Sequence, residues 1–134
     1  MHQREIASLE YSIYEFQKSL YMKQEEIERL EIAQSNLIEL QEEFFYNQSL
    51  CKSPTLCKNT WHGKLAKDFQ TFQEDGILDT YQNLTKDKMN EILNRLVEEI
   101  EAIAQSIVSI EGTITTKELR LHYVREISSK EILK

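Results

Sequence analysis

Residues 93–114, LNRLVEEIEAIAQSIVSIEGTI, contain the clearest periodic pattern in this chain. Apolar residues recur there at alternating steps of three and four, the spacing of one apolar stripe on an α-helix: Leu93, Leu96, Ile100, Ile103, Ile107, Ile110 and Ile114. The pattern continues through Lys117 to Leu121 and Val124. A stripe that persists over about four heptads predicts a coiled-coil-like helix.

A second stripe of this kind lies in the first third of the chain. One heptad column contains Ile6, Ile13, Leu20 and Ile27, and the other contains Leu9, Phe16, Lys23, Leu30, Leu37 and Phe44. The spacing therefore predicts another long helix with a single polar position, Lys23, in its apolar seam. Four tyrosines of this segment fall outside the seam: Tyr11, Tyr14, Tyr21 and Tyr46.

One strong break separates the two stripes. Pro54 cannot continue a helix, and it also disfavours helical geometry at Ser53. The whole sequence has only one proline and three glycines, so long uninterrupted helices are allowed elsewhere. We therefore predict an all-α fold, an elongated antiparallel two-helix hairpin with a first arm at about 4–50, a turn at about 51–62 and a second arm at about 63–130, in a single domain over 1–134.

Charge and hydropathy exclude several classes of partner. The formal net charge is −7, which repels nucleic acid backbones and anionic membrane surfaces. No apolar run approaches the roughly 20 residues that span a bilayer. We therefore expect a cytoplasmic protein, or one exported together with its partner, whose partners are other proteins.

The residues after the break form a short motif. Trp61, the only tryptophan in the chain, stands two positions before Gly63, and Ala66 and Phe69 follow at helical spacing. A tryptophan at this place can close the end of a hairpin, where two helices diverge. Gly63 permits a positive φ or a close backbone approach.

This arrangement resembles the WXG-type helical-hairpin proteins of bacterial type VII secretion, with Trp61, Gly63, Ala66 and Phe69 at the turn. The long second arm and the late tryptophan resemble the YwqH-like branch, whose members are typically encoded beside toxins with an N-terminal LXG domain. The resemblance implies a protein that binds the helical N-terminal domain of such a toxin, with or without a second small helical adaptor, and promotes its export.

The resemblance does not extend to the export signal. Many secreted members carry Tyr-x-x-x-Asp/Glu on the second arm, whereas Tyr123 is followed at that spacing by Ile127. We therefore expect a partner to supply the signal.

No grouping of residues predicts catalysis or cofactor binding. Cys51, Cys57 and His62 lack the paired spacing and the fourth ligand of a zinc site. The two cysteines could form a local disulfide or remain free thiols. No nucleophile–base motif and no glycine-rich phosphate loop occurs in the sequence. We therefore expect neither an enzyme, a metal site nor a cofactor.

Four apolar residues beside the main seam are the predicted partner-binding positions: Ile92, Val97, Val108 and Leu119. A thin hairpin gives each helix only one neighbour, so apolar surface outside the seam indicates an interface. Two other functions fit the same pattern. One is a structural coiled-coil homodimer, and the other is a cytosolic chaperone or immunity protein that masks a toxin.

Overall fold

A computed structural model describes residues 2–52 and 63–133 of the chain. Among these residues every regular element is helical. The elements, in order, are α1 (His2–Tyr46), a 3₁₀ helix (Asn47–Lys52), α2 (Lys64–Thr71), a first π-helical segment (Phe72–Leu78), α3 (Asp79–Gln82), a second π-helical segment (Asn83–Lys88) and α4 (Met89–Leu133).

The chain divides into two compact units, and α1 and α4 contribute to both. Unit 1 contains Met1–Glu31 and Glu99–Lys134, and unit 2 contains Ile32–Glu98. Within each unit the first helix pairs with a later part of the chain that runs in the opposite direction. The predicted all-α hairpin pairing is therefore confirmed.

The core of unit 1 is the seam that the sequence predicts. Ile13, Ile114 and Leu121 are its buried cluster. Around them lie partly buried apolar side chains from both helices: Ile6, Leu9, Phe16, Leu20 and Ile110. The three-and-four spacing places these residues on one stripe of each helix, and burial of the two stripes stabilises the pair.

Polar contacts between side chains flank this seam and are consistent with antiparallel pairing. Nε2 of His2 lies 3.1 Å from a carboxylate oxygen of Glu131, at the opposite end of the chain. The Arg120 guanidinium lies 2.8 Å from a carboxylate oxygen of Glu5. The Arg125 guanidinium lies 2.6 Å from a carboxylate oxygen of Glu10. All of these side chains are at least partly exposed, so each pair contributes at most about 1 kcal/mol to stability.

Unit 2 is held by polar contacts as well as apolar ones. The Gln41 amide Nε2 donates to the Thr85 carbonyl at 2.7 Å and to Oδ1 of Asn90 at 2.8 Å. The Tyr81 hydroxyl donates to the Phe44 carbonyl, and the two rings meet edge to face at 5.7 Å. These contacts join α1 to α3, to the second π-helical segment and to the start of α4.

Part of the predicted turn lies outside the described residues, including Pro54, Cys57, Trp61 and His62. Gly63 directly precedes α2 and has a φ of 104° and a ψ of −169°. That backbone conformation is essentially restricted to glycine. The Gly63 carbonyl then accepts the Lys67 N–H at 3.1 Å, closing the first turn of α2.

Candidate partner-binding surfaces

The outer face of α4 in unit 1 exposes apolar side chains opposite the seam. Val108 is 69% exposed and Leu119 is 67% exposed, whereas the seam residue Ile114 is only 8% exposed. Val108 and Leu119 are eleven residues apart, which is about three helical turns, so they lie on one face. We call this surface, with the intervening Gly112 and Thr115, the α4 outer face.

Two features make the α4 outer face accessible to another helix. Gly112 has open space around it, since a Cβ added there would meet no atom within 4 Å. Between residues 102 and 117 the only charged side chains are Glu111 and Lys117. A helix with so few charged residues typically packs against neighbours on more than one of its sides.

The other two predicted partner-binding residues belong to unit 2. Ile92 is 48% exposed and Val97 is 38% exposed, so both are more covered than Val108. The structure therefore divides the four predicted residues between the two units. Within unit 1 it brings together only Val108 and Leu119.

The apolar residues in the described part of the turn motif pack within the fold. Ala66 is 5% exposed and Phe69 is half-buried, so both pack inside unit 2. Gly63 is exposed, and its positive φ explains why a glycine stands there. The role predicted for Trp61 concerns a residue outside the described part of the chain.

Three of the tyrosines outside the α1 seam form a second exposed surface in unit 1. Tyr11, Tyr14 and Tyr21 are between 60% and 67% exposed. A hydrogen bond with Glu25, and then the negative charge of that carboxylate, raise the pKa of Tyr21 above its ordinary value. The Tyr21 hydroxyl is therefore already engaged with Glu25 on this surface.

Unit 2 contains an open groove that the sequence did not predict. Gln41, Phe45 and Tyr46 of α1 line one side, and Thr85 and Lys86 of the second π-helical segment line the other. Its volume is about 340 Å³. The signal in the sequence was the run Phe44-Phe45-Tyr46, which has more aromatic residues than one helix stripe can bury.

Three features of the described residues bear on metal binding, disulfide formation and membrane insertion. In residues 2–52 and 63–133, no group of three or more histidine, cysteine, aspartate or glutamate side chains is placed to hold a metal ion. Cys51 is half-buried, and Cys57, the other cysteine of the chain, lies outside the described residues. None of the described helices is long and apolar enough to cross a membrane.

Comparison with known proteins gives one match. The model of a family described as YwqH-like matches residues 4–125. Neither a curated protein nor a solved structure matches the chain significantly.

Proposed function

The chain belongs to the YwqH-like family, and we propose that it is a non-enzymatic adaptor of type VII secretion. In this role it binds the helical N-terminal domain of an LXG toxin and promotes the toxin's export. It acts in the cytoplasm or leaves the cell together with its partner.

The observation that carries this proposal is the exposure of the α4 outer face. Val108 and Leu119 are each about two-thirds exposed on a helix whose opposite side is already buried in the seam. Full burial of an aliphatic side chain of this size contributes about 1.5–3 kcal/mol. A partner helix laid along this face would gain about two-thirds of that burial from each residue, in the manner of a helix bound in a groove.

Gly112 supports a helical partner in particular. It lies between Val108 and Leu119 on the same face, and the space around its Cα is open. A missing side chain lets a second backbone approach closely. A neighbouring helix can therefore approach the α4 backbone closely at this point.

The nature of the contact predicts its dependence on salt. The central residues of the α4 outer face are uncharged, so screening by salt has little to weaken there. Binding only to the folded chain also raises its stability by mass action. The adaptor should therefore melt at a higher temperature in the complex than alone, at low and at high ionic strength.

The first test is gene order followed by co-expression. We expect a gene for an LXG-domain protein beside the gene for this chain. Co-expressed with the N-terminal domain of that protein, the chain should co-elute with it in size-exclusion chromatography. A thermally stable monomer that never co-elutes would contradict the proposal, and a homodimer that never co-elutes would favour the structural coiled coil.

A further inference from the structure

The groove of unit 2 has a fixed floor and open walls. Its floor is held by Gln41, whose amide spans from the Thr85 carbonyl to the Asn90 side chain. Phe45 and Tyr46 form a wall, and they are 60% and 86% exposed. Apolar atoms form most of the lining, so the groove favours an apolar side chain as its occupant.

The charge around the groove selects among apolar occupants, because three glutamates outnumber the single lysine of the lining, Lys86. A second depression of about 400 Å³ adjoins it and shares Glu42 and Tyr46 with it. This depression is also lined by Glu39 and Glu43. No ion pair between described residues engages any of these three glutamates, whereas Glu5 and Glu10 of unit 1 are paired with arginines.

We propose that this groove docks a basic amphipathic helical segment of a partner protein. The segment places an apolar side chain between Phe45 and Tyr46 and sets lysine or arginine side chains against Glu39, Glu42 and Glu43. A guanidinium group can also lie over the exposed Tyr46 ring and bind through a cation–π contact. The inference goes beyond the adaptor contact on α4 and does not depend on the identity of that partner.

Charge complementarity argues for this occupant over two others. A second copy of the chain carries a net charge of −7, so it would be repelled by these three glutamates. An anionic membrane surface would be repelled for the same reason. A basic helix combines an apolar anchor with the opposite charge, and it therefore matches both features of the surface.

Binding of a defined peptide to the full chain tests the proposal. The probe is a synthetic fluorescein-labelled helical peptide of leucine, alanine and lysine, and its matched control has glutamate in place of every lysine. Fluorescence anisotropy should show binding of the lysine peptide alone. Its affinity should fall at least about fivefold between about 50 mM and about 300 mM NaCl, because exposed charges are screened.

Two matched pairs of variants locate the binding site. Replacing Glu39, Glu42 and Glu43 by glutamine should weaken the lysine peptide about tenfold, since each exposed charge pair contributes at most a few-fold. The same change at Glu15, Glu28 and Glu31, which are exposed in unit 1, should weaken it less than about twofold. Tyr46→Ala should likewise weaken binding more than Tyr11→Ala.

Several results would overturn the docking proposal. Equal losses from the two glutamine triplets would mean that the net charge, not the groove, attracts the peptide. Equal binding of the glutamate peptide would mean that the contact is apolar and unspecific. If the lysine peptide does not bind at concentrations up to about 1 mM, which corresponds to a weak affinity, the groove is not a docking site. None of these results bears on the α4 outer face, which the Val108 variants test.

Discussion

The ammonium nitrogen of Lys117 lies 5.6 Å from the centroid of the Phe16 ring. Both residues occupy seam positions of unit 1, where the heptad pattern calls for apolar side chains. The contact explains how a lysine is accommodated in this seam, because its alkyl chain covers apolar surface while its charge faces the ring.

Reversing the charge at Lys117 should therefore destabilise unit 1. A carboxylate near the ring face loses the cation–π attraction, so Lys117→Glu should lower the free energy of unfolding by about 1 kcal/mol. Lys18→Glu makes the same change of net charge at an exposed position of α1 and should have little effect. Chemical denaturation followed by circular dichroism compares the two, and equal effects would rule out a specific role for the Phe16 contact.

Gln41 should be a polar support of unit 2. Gln41→Met keeps the length of the side chain but removes both of its hydrogen bonds, leaving the Thr85 carbonyl without this donor. The expected cost is about 1–3 kcal/mol. Gln17→Met, at an exposed position of α1, is the control. A loss of unfolding free energy smaller than that of the control would show that the two hydrogen bonds of Gln41 do not stabilise the fold.

Two glycines should respond to alanine in opposite directions. At Gly63 the positive φ of 104° makes any side chain strained, so Gly63→Ala should cost about 1–3 kcal/mol. At Gly112, inside α4 and with open space around it, alanine should stabilise the isolated chain by about 0.5–1 kcal/mol. Thermal unfolding of both variants checks this. Destabilisation of the isolated chain by Gly112→Ala would contradict the open environment.

The stability of unit 2 should fall at high pH through Tyr81. Desolvation, with a smaller electrostatic effect from the nearby Cys51, raises the pKa of Tyr81 above its ordinary value of 10.0. Because the folded state favours the neutral phenol, Tyr81 contributes to the free energy of unfolding. This contribution is fully present below pH 10 and is lost as the pH rises through the folded-state pKa of Tyr81.

Comparison with Tyr81→Phe isolates this effect from the lysines, which titrate in the same range. Unfolding midpoints measured between about pH 8 and pH 11 should converge for the two proteins as the pH rises. A gap between them that stays constant or widens would contradict the raised pKa.

The seam of unit 1 could be predicted from the sequence because spacing alone specifies it. Ile13, Ile114 and Leu121 are buried where the three-and-four pattern places them. The pattern also predicted that Val108 falls outside the seam, since it directly follows a seam position. What occupies the exposed face could not be predicted in the same way, because a partner leaves no periodic signal of its own.

The two π-helical segments and the groove could not be predicted. Nothing in the residues of Asn83–Lys88 distinguishes a π-helical segment from an α-helix. The Thr85 carbonyl accepts a bond from Gln41, which is 44 positions away in the sequence. Such a contact depends on the pairing register of the helices, and the register becomes known only from the structure.

The most direct test of the adaptor account is the affinity of two lysine variants for the N-terminal domain of the cognate LXG protein, measured by titration calorimetry. Val108→Lys places a charge on the α4 outer face, while Ser109→Lys places it at the adjacent exposed position. With both variants folded by circular dichroism, the account predicts at least about a tenfold loss of affinity for Val108→Lys. It predicts less than about a twofold loss for Ser109→Lys. Equal affinities of the two variants would contradict it.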